Sequence, residues 1–182
     1  MMFTDAEQRA LVEIARAAVT EAITGRRVDG PSPGDFDRVR GASGAFVTLK
    51  RDGRLRGCIG TLECQRPLAE EIARAAVSAA REDPRFDPLR AAELDDLDVE
   101  VSVLGPLEAI DPRDPAAIEI GRHGLVVEEG RRRGLLLPQV ATEWGWGREE
   151  FLAHTCKKAG LPADAWQRGA KVYRFAADVF GD

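Results

Sequence analysis

Leu55-Arg56-Gly57-Cys58-Ile59-Gly60-Thr61 reads as a strand, yet it carries two glycines that strand propensity alone disfavours. Side chains of an extended segment alternate between faces, which puts Leu55, Ile59 and Thr61 on one side and Arg56, Cys58 and Gly60 on the other. The first set is a core face. On the second, a guanidinium stands two residues from a thiol, and the missing side chain at Gly60 leaves room beside the sulfur for a ligand or another backbone. Arg51-Asp52-Gly53 is a turn, so this strand pairs antiparallel with Gly44-Ala45-Phe46-Val47-Thr48-Leu49-Lys50. A two-residue Asp52-Gly53 turn would set Leu49 against Arg56 and Val47 against Cys58, mixing polar and apolar side chains. A three-residue loop with Gly53 in the left-handed region pairs Leu49 with Leu55, Val47 with Gly57 and Thr48 with Arg56, and is the register expected here.

The rest of the chain supports a single globular domain over residues 1–182, built as a mixed α+β fold with mostly antiparallel sheet packed by helices. Its 182 residues, 44% hydrophobic and 31% charged with ten prolines, suffice for a substantial core without disulfides. The formal charge of −5 argues against general nucleic-acid binding, and Arg131-Arg132-Arg133 reads as a solvated hairpin tip. The first residues carry Asp5 and Glu7 and lack an apolar core, so no signal peptide is expected, and no apolar run reaches membrane-spanning length. Three irregularly spaced cysteines, Cys58, Cys64 and Cys156, fit a reducing cytoplasm.

Thr4-Asp5-Ala6-Glu7 is a capping box, and apolar residues from Leu11 to Ala22 predict a helix that runs to about Thr24 and stops at Gly25. Residues 26–42 read as a long loop, open to two readings: a lid over the first hairpin or a surface excursion. Pro67 opens a second helix whose Ala75, Ala76 and Ala79 form a small-residue stripe suited to close packing on a sheet. Asp83-Pro84-Arg85-Phe86 breaks it, a short helical turn follows, and Val99, Val101 and Val103 alternate with Glu100, Ser102 and Leu104 in a half-buried strand. A second hairpin, Gly124–Glu128 with Arg133–Leu137, echoes the first and suggests an internal duplication. Gln139 and Glu143 share one face of the helix after Pro138; Arg148–Ala159 forms another; and Lys171–Val179 is a closing strand.

Cys58 is the candidate nucleophile, because Arg56 beside it would favour the thiolate and lower a pKa of roughly 8.5, whereas burial would act in the opposite sense. The competing reading makes Cys58 a small residue in a crowded strand. Gly57, Gly60, Glu100, Gln139 and Glu143 are the candidate ligand-binding residues, with Glu100 a partner for Arg56 or for a substrate. The spacing of Cys and His matches no metal motif, and neither a phosphate-binding loop nor a dinucleotide fingerprint is present, so no metal or particular cofactor is assigned.

The runs GAFVTL, LRGCIG, DPRF, VEVSVL and GLLLPQVA, together with Phe151-Leu152 and Cys156-Lys157-Lys158-Ala159-Gly160-Leu161, resemble the AMMECR-one domain family over about residues 4 to 180, LRGCIG being its most specific motif. The resemblance implies a two-lobed body with LRGCIG near the cleft. It also implies the AmmeMemoRadiSam association, hence a Memo-like protein and a radical SAM protein as partners. It implies no reaction. Two functions follow: a cytoplasmic component of a modification or redox system, whose Cys58/Arg56 cleft acts on a small molecule or protein segment through cysteine-dependent chemistry; or a non-catalytic protein–protein interaction module, with Trp144 and Trp146 as interface anchors.

Overall fold

The computed structural model describes residues 3–31 and 44–182. The chain divides into two compact units, Met1–Leu104 with Asp178–Asp182, and Gly105–Ala177.

In the first unit, helix α1 (Asp5–Thr24) starts at the expected capping box: the Thr4 N–H donates to Glu7 Oε2 at 2.7 Å and the Glu7 N–H to Thr4 Oγ1 at 3.3 Å. Gly25, in the left-handed region at φ 70°, ends the helix. Strands β1 (Gly44–Arg51), β2 (Arg54–Thr61) and β3 (Leu97–Leu104) lie in the order β2-β1-β3, both pairs antiparallel. Helix α2 (Leu68–Arg81) packs on β1 and β2, and α1 on α2 and β3. Ala45, Val47, Leu49, Val99, Val101 and Val103 bury one face of the sheet against Leu11, Val19 and Ile72. The small stripe of α2 does what its composition suggests: a Cβ on Gly57 would stand 2.1 Å from the Ala79 carbonyl, so helix and strand touch backbone to backbone. Residues 32–42 of the 26–42 loop fall outside the described residues, and with them the lid reading.

The hairpin corrects the expected register. Its turn is the two-residue one, Asp52-Gly53, with φ 50° and 72°, the twist that matches antiparallel strands. The mixing of faces is avoided by a β-bulge: Lys50 pairs with Leu55, then Leu49 with Gly57, Thr48 with Cys58 and Val47 with Ile59, so Arg56 is the extra residue. One added residue shifts the phase of everything beyond it. Gly57, Ile59 and Thr61 therefore stand opposite Leu49, Val47 and Ala45, while Leu55, expected in the core, is 40% exposed at the far side of the bulge.

In the second unit, β4 (Glu108–Ala109) and β5 (His123–Glu129) flank β7 (Lys171–Gly181), and β6 (Arg132–Leu136) extends the sheet beyond β5. Residues of β7 up to Ala177 belong to this unit and those from Asp178 to the first. Pro138 stands at the N-terminal position of α3 (Pro138–Trp144), which Gly145 ends at φ 66°. Helix α4 (Arg148–Lys158) lays Phe151, Leu152 and Cys156 on Leu125, Val127 and Val172. Here too a return-strand glycine meets a helix end, since a Cβ on Gly134 would lie 2.3 Å from the Ala159 nitrogen. No helix among the described residues is long and apolar enough to cross a membrane.

Candidate functional site around Cys58

The bulge leaves Cys58, Thr48 and Glu100 in one row across β2, β1 and β3, on the face opposite α2. Cys58 Sγ lies 3.2 Å from Thr48 Oγ1, and Lys50 Nζ donates to Glu100 Oε2 at 3.1 Å. Glu100 is thus the partner of Lys50 rather than of Arg56. In the next row Gly60 pairs with Phe46, and a Cβ there would come within 2.5 Å of the Phe46 ring. The space expected for a ligand at Gly60 is filled by that ring. Gly57 likewise serves the packing on α2.

Two carboxylates that sequence reasoning passed over organise the surroundings. Asp83, just past the end of α2, is 4% exposed; its Oδ2 accepts the Cys58 N–H at 3.0 Å and Arg85 Nη2 at 2.8 Å. Its Oδ1 accepts Arg85 Nε at 3.0 Å and the Arg85 N–H at 3.1 Å. The Arg85 guanidinium, helped by the two backbone N–H groups against the burial that opposes it, holds the Asp83 carboxyl far below the usual carboxylate range. Asp83 thereby ties the β2 backbone at Cys58 to the Asp83-Pro84-Arg85-Phe86 turn. An aspartate two residues before an arginine across a proline is the signal that could have found it.

Glu93, in the 3-10 turn Ala91–Asp96, is the second carboxylate. Arg56 donates to both its oxygens, Nε to Oε1 at 3.0 Å and Nη2 to Oε2 at 3.1 Å. Arg51 Nη1 adds a bond at 3.1 Å and the Arg90 N–H one at 2.8 Å. The Arg56 hydrogen bonds, more than any other contact, hold the Glu93 carboxyl down at about 2 against the burial that would raise it. Nothing in the sequence around Glu93 marks it as a partner of Arg56, because the pairing spans 37 positions.

These pairings correct the expected activation of Cys58. Arg56, turned aside by the bulge, does not act on the sulfur; the guanidinium that does is that of Arg85. Burial raises the thiol above its ordinary value, and Asp83 and Glu100 add to that, while the Thr48 hydroxyl and Arg85 pull it down by less. The balance favours the neutral thiol over the thiolate. Phe86 lies within cation–π range of both Arg56, at 5.9 Å, and Arg85, at 5.5 Å. Cys58 and Glu100 therefore share one row, while Arg56 stands apart from both on Glu93.

Gln139 and Glu143 lie in the second unit on α3: Glu143 is exposed, and Gln139 Oε1 is buried without a hydrogen-bond partner among the described residues. Trp144 and Trp146 stack at 6.2 Å between ring centroids, and Trp146 stacks in turn on His154 at 3.9 Å. Among the described residues, no group of three His, Cys, Asp or Glu is placed to hold a metal ion.

A family model described as AMMECR1 matches residues 12–180. A protein of Methanothermobacter thermautotrophicus is 53% identical over 180 residues, covering 96% of this chain and 93% of its own length. Protein PH0010 of Pyrococcus horikoshii is 47% identical over 183 residues, covering 93% of this chain and 87% of its own. A crystal structure titled as that of an uncharacterized protein, PH0010, superposes with a TM-score of 0.89 at 44% identity, covering 100% of this chain and 94% of that one. Agreement over nearly the whole length, in sequence and in fold alike, makes this chain a member of the AMMECR1 family.

Proposed function

We propose that the chain works as a binding component, with the row Cys58, Thr48 and Glu100 and the neighbouring Arg85 as its recognition surface for a small molecule or protein segment. The observation that carries this reading is that the Arg56 guanidinium, the expected activator of Cys58, is committed to Glu93, while burial of Cys58 favours the neutral thiol. A protonated thiol and a hydroxyl are hydrogen-bonding and packing groups, suited to recognition more than to attack. The family resemblance suggests the setting, a cytoplasmic modification or redox system with a Memo-like protein and a radical SAM protein as partners. Three free cysteines are in keeping with a reducing compartment.

One observation favours a cysteine-dependent reaction as the second reading: Arg85, 54% exposed in its side chain, is a cation acting on Cys58. A ligand that drew Asp83 away would leave Arg85 to stabilise the thiolate. Iodoacetamide labelling across pH separates the two. For a binding component, Cys58 labels with a midpoint above that of an ordinary thiol, Arg56→Gln leaves the midpoint in place, and Cys58→Ser supports growth of a deletion strain. Fast labelling of Cys58 at neutral pH, together with a Cys58→Ser variant that folds but fails to complement, would overturn the binding reading in favour of the enzyme.

A further inference from the structure

In the second unit, Arg113, Arg148, Glu149, Trp166 and Gln167 line a pocket of 370 Å³, within the size range of small-molecule sites. Both arginines are held in place by neutral acceptors. Arg113 Nη2 donates to the Gln167 carbonyl at 3.0 Å, and Arg148 Nη1 donates to the Pro112 carbonyl. A carbonyl orients a guanidinium without cancelling its charge, so each keeps its remaining N–H groups and its full positive charge for a ligand. The opposing charge in the lining is Glu149, 3.9 Å from Arg148 Nη2 and mostly in solvent. Asp164 pairs with Arg168 at 2.8 Å, while Asp111, whose Oδ1 accepts the Arg113 N–H at 3.0 Å, keeps its charge two residues before Arg113. Trp166, 7% exposed, lies beneath a lining that is otherwise polar.

Two anchored guanidiniums in a polar-lined pocket make a receptor for an oxyanion. We propose that this pocket binds a small molecule bearing a phosphate or carboxylate group, held between Arg113 and Arg148. The site is independent of Cys58, and of the function proposed there.

The test is titration of the full-length 15N-labelled protein with inorganic phosphate and, separately, with acetate, at an ionic strength held near 0.1 M. The readout is the Nε–H resonances of Arg113 and Arg148. The expected result is a saturable shift of both arginines, with a dissociation constant of about 1 mM or tighter for at least one anion. Saturation by phosphate alone narrows the ligand to phosphate esters, and by acetate alone to carboxylates. Arg113→Gln should weaken binding about tenfold, the loss of one charge-assisted hydrogen-bonded pair. Glu149→Gln, which removes the opposing charge and touches no anchor, should tighten it about threefold. Arg122→Gln, outside the pocket, should change nothing. Shifts that stay linear in anion concentration, or weakening by Arg122→Gln equal to that by Arg113→Gln, would overturn the proposal. Because Arg148→Gln loses the anchor to Pro112, Arg148→Lys serves as the folded variant there, and unchanged affinity in it would also count against the site.

Discussion

The two hairpins are built to one plan and differ by one residue. Each turns through two residues, Asp52-Gly53 in β1–β2 and Gly130-Arg131 in β5–β6, and each return strand puts a glycine under a helix, Gly57 at Ala79 and Gly134 at Ala159. The second hairpin keeps an unbroken register from Glu129–Arg132 to Leu125–Leu136. The first breaks its register at Arg56. In the regular hairpin the strand arginine next to the glycine, Arg133, meets Glu128 across the ladder at 3.5 Å, with about a third of each side chain in solvent. In the bulged one, Arg56 leaves the ladder and grips Glu93, a carboxylate 8% exposed. A bulge thus converts a packing hairpin into one that ties its return strand to buried charge, and it sets the phase that brings Cys58 beside Thr48.

The shared part of the plan breaks first. Gly57→Ala drives a Cβ into the Ala79 carbonyl and should cost about 3 kcal/mol or more, seen as a lower urea midpoint. Gly134→Ala, against backbone at 2.3 Å, should cost nearly as much. A tolerated alanine at one position alone would show that the two glycines are not equivalent.

The difference is sharpened by deleting Arg56, which should restore a regular ladder and yet destabilise by about 2 kcal/mol, because Glu93 loses its bidentate partner while staying buried. Adding Glu93→Gln to the deletion should recover part of that loss. A double variant worse than the deletion would mean that the bulge matters for more than pairing Arg56 with Glu93.

Acid should weaken the first unit through the same groups. Asp83 and Glu93 titrate lower in the folded chain than in the unfolded one, so the unfolded chain binds more protons in this range. The stability they provide is complete above about pH 5 and drains as the pH falls towards 2. Urea midpoints measured between these limits should fall, and Glu93→Gln should flatten part of the slope by about 1–2 kcal/mol. An equal slope in wild type and variant would assign the acid sensitivity elsewhere.

The smallest effect belongs to the thiol. Cys58→Ser keeps a bond to Thr48 and nearly the same volume, so it should cost about 1 kcal/mol at neutral pH. The burial that raises the Cys58 pKa gives stability present below about pH 8.5 and lost above it, so the variant should also resist alkali slightly better.

Local signals made much of this fold legible. The capping box at Thr4, the alternation in β3, Pro138 at the start of α3 and the pairing of the two hairpins all follow from residues within a few positions of one another. The bulge was hidden because the choice of turn and the separation of faces each implied a register, and only one extra residue reconciles them. Cys58 and Glu100 do share a row, but Gly60 makes way for Phe46 rather than for a ligand. The partners of Arg56 and of the Cys58 amide, Glu93 and Asp83, lie 37 and 25 positions away. Distances of that kind are set by tertiary packing, and no spacing rule reaches them.

The last five residues carry a consequence for how the chain comes to be folded. Asp178–Asp182 belong with the first unit, where the Asp182 N–H donates to the Val99 carbonyl at 3.1 Å and its carboxylate accepts the Val99 N–H at 3.0 Å and an arm of Arg16. During synthesis, β3 is made long before these residues, and residues 105–177 emerge in between. The second unit is contiguous in sequence, so its contacts close shorter loops than the one that brings Asp182 to Val99. The β3 edge of the first unit is completed only by these distant residues, and this closing step of long sequence separation should be the slow phase of refolding.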